Sequence, residues 1–139
     1  MKAWRFVIGG GAALALAGTA LAQASTMADM MERSVNPAAL AFWAAGNDPP
    51  EGETPQAADA RWRAAEAAIA ILKAEGARMQ RPPYLQPGEW ADLARLMADT
   101  AASAEGAIKA RDAEAAFEAG GRLYDSCNGC HKAYVVPRT

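Results

Sequence analysis

In DAEAAFEAGGRLYDSCNGCHKAY, residues 112 to 134, apolar and small residues recur at three- and four-residue steps: Ala113, Ala116, Phe117, Gly120, Leu123, Tyr124, Cys127, His131 and Tyr134. That is the period of an amphipathic helix, and Asp112 stands where its N-cap belongs. The stripe runs unbroken into Cys127-Asn128-Gly129-Cys130-His131, so the two thiols and the imidazole are expected to face a helical core. Cys-x-x-Cys-His is also the spacing that ties a haem covalently to a chain, with two thiols for the vinyl groups and an imidazole for the iron. Thiols three residues apart on a helix lie about a turn apart on one face, and His131, four residues after Cys127, projects from that same face. Both thioethers and the iron bond can therefore form from one segment.

Three other readings of the motif compete with haem attachment. A structural zinc site takes about four protein ligands, whereas this chain has two cysteines and one histidine, so carboxylates would have to complete it. A redox-active dithiol belongs at a helix N-terminus after a strand, and no strand pattern precedes Tyr124-Asp125-Ser126. A disulfide between Cys127 and Cys130 closes too small a loop to stabilise much, and it leaves the adjacent histidine unexplained. Haem attachment accounts for all three side chains.

Outward from this segment the pattern stays helical. Two proline-rich interruptions, Gly46 to Glu53 and Arg81 to Gly88, divide the chain, since neither a helix nor a central strand tolerates them. The first segment, about Thr26 to Ala45, puts Met27, Met31, Val35, Ala38 and Phe42 on one face. The second begins with Thr54 as N-cap and Pro55 at the first helical position and carries Trp62, Ala65, Ile69, Leu72 and Met79. The third starts near Gly88 and repeats Trp90, Leu93, Met97, Ala101, Ala104 and Ile108. Pro37 interrupts the first segment, because it removes the hydrogen bond to the Arg33 carbonyl; a kink is expected there, or a restart with Asn36 as cap. Four amphipathic helices with compact loops predict an all-α four-helix bundle. Because its stripes are mostly alanine, a haem slotted between the helices would supply apolar bulk. Gly120 and Gly121 are read either as places of close approach by the porphyrin or a neighbouring helix, or as tolerated small residues.

The N-terminus supplies a context for the motif. Lys2 and Arg5 form a positive n-region, Val7 to Leu21 is apolar, and Ala20-Leu21-Ala22 gives the small-x-small cleavage pattern. Residues 1–22 read as a signal peptide removed on export, with cleavage after Ala24 as the alternative, and residues 23–139 as one domain of 117 residues. An anchor reading is disfavoured by an apolar core short of the roughly 20 residues of a spanning helix. Export and haem attachment agree, since bacteria attach haem outside the cytoplasm. Loss of Lys2 and Arg5 takes the 14 basic residues to 12 against 16 acidic, a formal charge of −4. That balance argues against nucleic acid or an anionic membrane as partner, and it allows docking to a basic patch on a redox protein. No nucleophile-base-acid set forms around the sole histidine once it holds iron, and no Gly-rich phosphate loop appears, so hydrolysis and phosphoryl transfer are not expected.

A C-terminal helix bearing Tyr124-x-x-Cys127-x-x-Cys130-His131-x-x-Tyr134, after three amphipathic helices and a signal peptide, resembles the class II cytochromes c, the cytochrome c-prime group and its low-spin relatives. The resemblance spans the mature chain in helix order, with its motif support in the last helix. It implies a left-handed four-helix bundle with one haem c near one end, Cys127 and Cys130 as thioether attachments, and His131 as proximal iron ligand. It also implies haem-attachment machinery during maturation and allows a homodimer through the first two helices.

With one histidine in the chain, the sixth iron ligand is not a second imidazole. In six-coordinate members of the family a methionine of the first helix fills that position, and a thioether raises the potential. Met31 is the expected distal ligand and Met27 the second choice, with Met79 and Met97 behind them; the competing reading is that these methionines simply fill gaps in the core. The sequence departs from the family pattern in carrying Met27 where a basic residue is frequent, and in Pro37. Trp43, Trp62 and Trp90 read as core or haem-edge packing, and Arg122, Lys132 and Arg138 either meet the haem propionates or are solvated. The function expected is that of a periplasmic monohaem electron carrier with His/Met ligation. The alternative is a five-coordinate protein that binds nitric oxide or carbon monoxide.

Overall fold

The computed structural model describes residues 26–135; the expected signal peptide, both of its cleavage points and Arg138 lie outside the described residues. Helix α1 (Met27–Met30) passes through a π-helical turn (Met31–Val35) into α2 (Asn36–Gly46); α3 (Pro55–Met79), α4 (Trp90–Ser103), α5 (Glu105–Ala110) and α6 (Ala113–Tyr134) follow, with no strand among the described residues. Helix α2 packs on α3, α3 on α4, α4 on α6, and α6 back on α2, a closed ring compatible with a helical bundle. None of the described helices is long and apolar enough to cross a membrane.

Helix starts follow their caps. The Thr26 hydroxyl accepts from the Asp29 N–H at 3.1 Å while the Asp29 carboxylate accepts from the Thr26 N–H at 3.0 Å, a reciprocal capping box. Thr54 accepts from the Ala57 N–H at 3.2 Å, with Pro55 behind it, and Asp112 accepts from the Ala115 N–H at 3.0 Å, both as the sequence predicts. The third segment differs. It starts at Trp90 rather than near Gly88, breaks at Ala104, and ends on Arg111 in the left-handed conformation, φ 57°.

The core takes fully buried large side chains from α2, α3, α5 and α6: Phe42, Leu72, Ile108 and Leu123. Most of the remainder is alanine, and the helices come close as a result. A Cβ on Gly76 of α3 would sit 2.8 Å from the Ala94 carbonyl oxygen of α4, so that crossing requires glycine.

Two sequence expectations need correction. Phe117 and Tyr124 were expected on the inward stripe of the last helix but are 63% and 57% exposed. Ala116, Ala119, Gly120, Leu123 and Ser126 form the buried face instead, because the Gly46 backbone lies against the backbone of Phe117 and leaves no room for the ring between the helices. In the first segment the core methionine is Met30, 2% exposed, whereas Met27 and Met31 are only partly buried. The cause lies at Pro37. An α-helix would press the proline ring against the Arg33 carbonyl; the turn widens instead, the Asn36 N–H bonds the Met31 carbonyl five residues back, and Asn36 is itself helical at φ −64°, ψ −47° rather than a cap.

The connection between α2 and α3 is held by one guanidinium. Arg61 meets the two Glu53 carboxylate oxygens at 2.8 and 2.9 Å and donates to the Ala44 and Ala45 carbonyls at 3.0 and 3.3 Å, satisfying the free end of α2. The hydrogen bond from Arg61 holds the Glu53 carboxyl below its ordinary value. A carboxyl lowered in the folded state contributes stability above the ordinary carboxylate range and loses it as pH falls through the lowered value. Glu53→Gln should therefore lower Tm at pH 7 and flatten the loss of Tm on acidification; equal acid limbs in variant and parent would contradict this. Met30→Ala should cost about 2–5 kcal/mol in denaturant unfolding, and Met31→Ala clearly less.

Candidate functional site

A cavity of about 780 Å³ opens at the end of the ring where α3 finishes, α4 begins and α6 finishes, within the range of about 300–1,000 Å³ typical of small-molecule and cofactor sites. Cys127, Cys130 and His131 of α6 line one wall. Met27 and Met31, with Val35, Ala39 and Trp43, line another, and Met79 and Met97 also reach it.

Two hydrogen bonds and one edge-on ring contact fix this end. The Trp90 indole N–H donates to the Met79 carbonyl at 2.9 Å, satisfying a free carbonyl of the last turn of α3. The Tyr134 ring meets Trp90 edge-on, centroids 5.0 Å apart at 88°, and its hydroxyl donates to the Pro87 carbonyl at 2.7 Å. The last turn of α6, which carries His131, is thereby fastened to the proline-rich connection. Trp90 and Trp62 are buried in the core as expected; Trp43 is half-buried and donates to the Gly120 carbonyl at 2.9 Å. Gly120 makes room for it, since a Cβ there would lie 2.9 Å from the indole Cδ1, while Gly121 faces open space.

Cys127 and Cys130 are free and half-buried. Burial pushes both thiols up, opposed at Cys127 by the Ser126 hydroxyl and reinforced at Cys130 by Cys127. Both sit in the C-terminal third of α6, away from the helix end whose dipole would stabilise a thiolate. This is the reverse of an activated dithiol. Between the cysteines, Gly129 lies where α6 comes against α4, a Cβ there falling 2.7 Å from Leu93 Cδ2. His131, expected to face the core, is instead exposed at the margin of the cavity.

The donor set fits a flat, mainly apolar group tethered through two thiols and ligated through an imidazole. Both thiols reach one cavity, the imidazole is beside them, and thioether sulfurs stand on another wall. The described residues hold no cluster of three His, Cys, Asp or Glu side chains that would bind a bare metal ion. Arg122 and Lys132 are exposed and outside the lining. The lining also includes Gln86 and Asn128, which the sequence reading missed. Gln86 sits in a proline-rich connection without periodicity and gave no signal; Asn128, within the motif, was legible from its place between the cysteines.

No protein-family model, curated protein or solved structure matches this chain.

In protein made without haem attachment, alkylation of the thiols should accelerate only above the ordinary cysteine value of about 8.5. A rate midpoint near 7 would mark an activated dithiol and contradict this account of the site.

Proposed function

We propose that this chain is a periplasmic monohaem c-type cytochrome of the class II kind: a left-handed four-helix bundle, exported through residues 1–22, that carries electrons on one haem c attached at the cavity end. The observation that carries the reading is convergence. The chain's two cysteines and its one histidine line the same cavity as Met27 and Met31, which come from the far end of the sequence.

In this reading each residue has a task set by its chemistry. Cys127 and Cys130, whose thiols burial pushes up, are the attachment points. His131 is the proximal ligand, oriented by a helix end that Tyr134 anchors. Met31 is the distal ligand and Met27 its alternate. Val35, Ala39 and Leu93 give the cavity apolar surface against which a porphyrin face would pack. When bound, haem supplies reversible one-electron chemistry at a potential that a thioether ligand raises. The acidic balance of the mature chain suits docking to a basic patch on a periplasmic redox partner.

Visible spectra of protein exported in a host with haem-attachment machinery test the reading. Low-spin haem is expected in both redox states, without a shift under carbon monoxide, and Met31→Ala should convert it to high-spin. High-spin ferric haem that Met31→Ala and Met27→Ala leave unchanged would remove the methionine ligand and favour the gas-binding alternative. A colourless product would contradict haem attachment altogether.

A further inference from the structure

Sulfur is gathered in one place. Of the seven methionines and cysteines among the described residues, six line the cavity: Met27, Met31, Met79, Met97, Cys127 and Cys130. Met30 alone stays outside it, packed in the core at 2% exposure. A buried methionine ordinarily fills a gap between its neighbours, as Met30 does, but the other six residues surround a space of about 780 Å³ instead of closing it. The haem reading gives a task to Met31 and Met27 and none to Met79 and Met97.

The packing of α4 on α6 brings one of those thioethers level with the thiols. Helix α4 begins and α6 finishes at the cavity end, so the two run in opposite directions. Trp90 meets Tyr134 with centroids 5.0 Å apart, and a turn further along α4 Leu93 lies against Gly129, where a Cβ would fall 2.7 Å from Leu93 Cδ2. The next turn of α4 carries Met97, and the matching step back along α6 reaches Ser126 and Cys127. Met97 is buried, and it shares the cavity lining with Cys127 and with Cys130, one turn further on. Its three rotatable side-chain bonds give the sulfur reach.

Thiolates and thioethers are soft donors, and among first-row metals they select monovalent copper. We propose that the haem-free chain binds one Cu(I) ion in this cavity, through the Cys127 and Cys130 thiolates and the Met97 thioether. Each thiol that binds passes its proton to solvent while the copper stays monovalent, so no oxidant or reductant is consumed. Oxygen donors, the exposed Glu32 carboxylate on the lining among them, are hard and compete poorly for such an ion. Copper and haem exclude each other here, because attachment would turn both thiols into thioethers of the porphyrin and remove the anionic donors.

The test is an anaerobic titration with Cu(I), against the chromophoric chelator bicinchoninate, of reduced protein exported from a host without haem-attachment machinery. One Cu(I) per chain is expected, held more tightly by the folded chain than by the same chain in urea, where the two thiols bind without help from the fold. Met97→Leu, close in volume, should weaken the folded chain several-fold and leave the chain in urea unchanged, whereas Met30→Leu should alter neither. Equal affinity with and without urea would overturn the site. So would a Met97→Leu variant that binds like the parent, or haem-loaded protein that takes up Cu(I) as tightly as the haem-free chain. The titration needs no haem, so a colourless product from a host with attachment machinery would end the haem reading alone.

Discussion

Close approach through small residues is the constraint on which the rest of this structure depends. Gly76 lets α3 come within contact of the Ala94 carbonyl, Gly120 receives the Trp43 indole, and Gly129 lies against Leu93. Alanine is the commonest residue of the core between these points. Helices that meet through such short side chains close a ring along most of its length. At the end where α1, the π-turn and the proline-rich connection replace regular helix, the ring opens into a cavity large enough for a cofactor. The same thinness that brings the helices together leaves this end short of apolar bulk, and a large planar group there would supply it.

The chemistry of the opening follows from which residues border it. A helix C-terminal end supplies two thiols pushed up by burial and an imidazole at the margin. The opposite wall carries the thioethers of Met27 and Met31 beside the Glu32 carboxylate. Rigidity comes from backbone carbonyls that helix ends leave free: Trp90 takes that of Met79, Arg61 those of Ala44 and Ala45, and Tyr134 that of Pro87 in the connection. Of these, the hydrogen bonds of Trp90 and Tyr134 lie at the cavity end.

Much of this was legible in the sequence. The capping residues Thr54 and Asp112, the proline-rich breaks and the strong periodicity of each segment specify four helical stretches, and the spacing of Cys127, Cys130 and His131 puts three donors together. What escaped was register. Phe117 fits a stripe counted in fours, yet the close contact of α2 with its backbone turns it outward. Met30, Met27 and Met31 are neighbours on any helical wheel. Their assignment to core or cavity hangs on a single extra residue absorbed before Pro37, and periodicity cannot say whether a proline will kink, cap or widen a helix, since that choice is settled by what the neighbouring helices bury.

The measurement that tests the central claim most directly is the intact mass, under denaturing conditions, of the protein exported from a host with haem-attachment machinery. The account predicts the mature chain plus one haem, with that increment absent when Cys127 and Cys130 are both replaced by serine. A mature chain of unmodified mass, with both thiols free to alkylate, would contradict it.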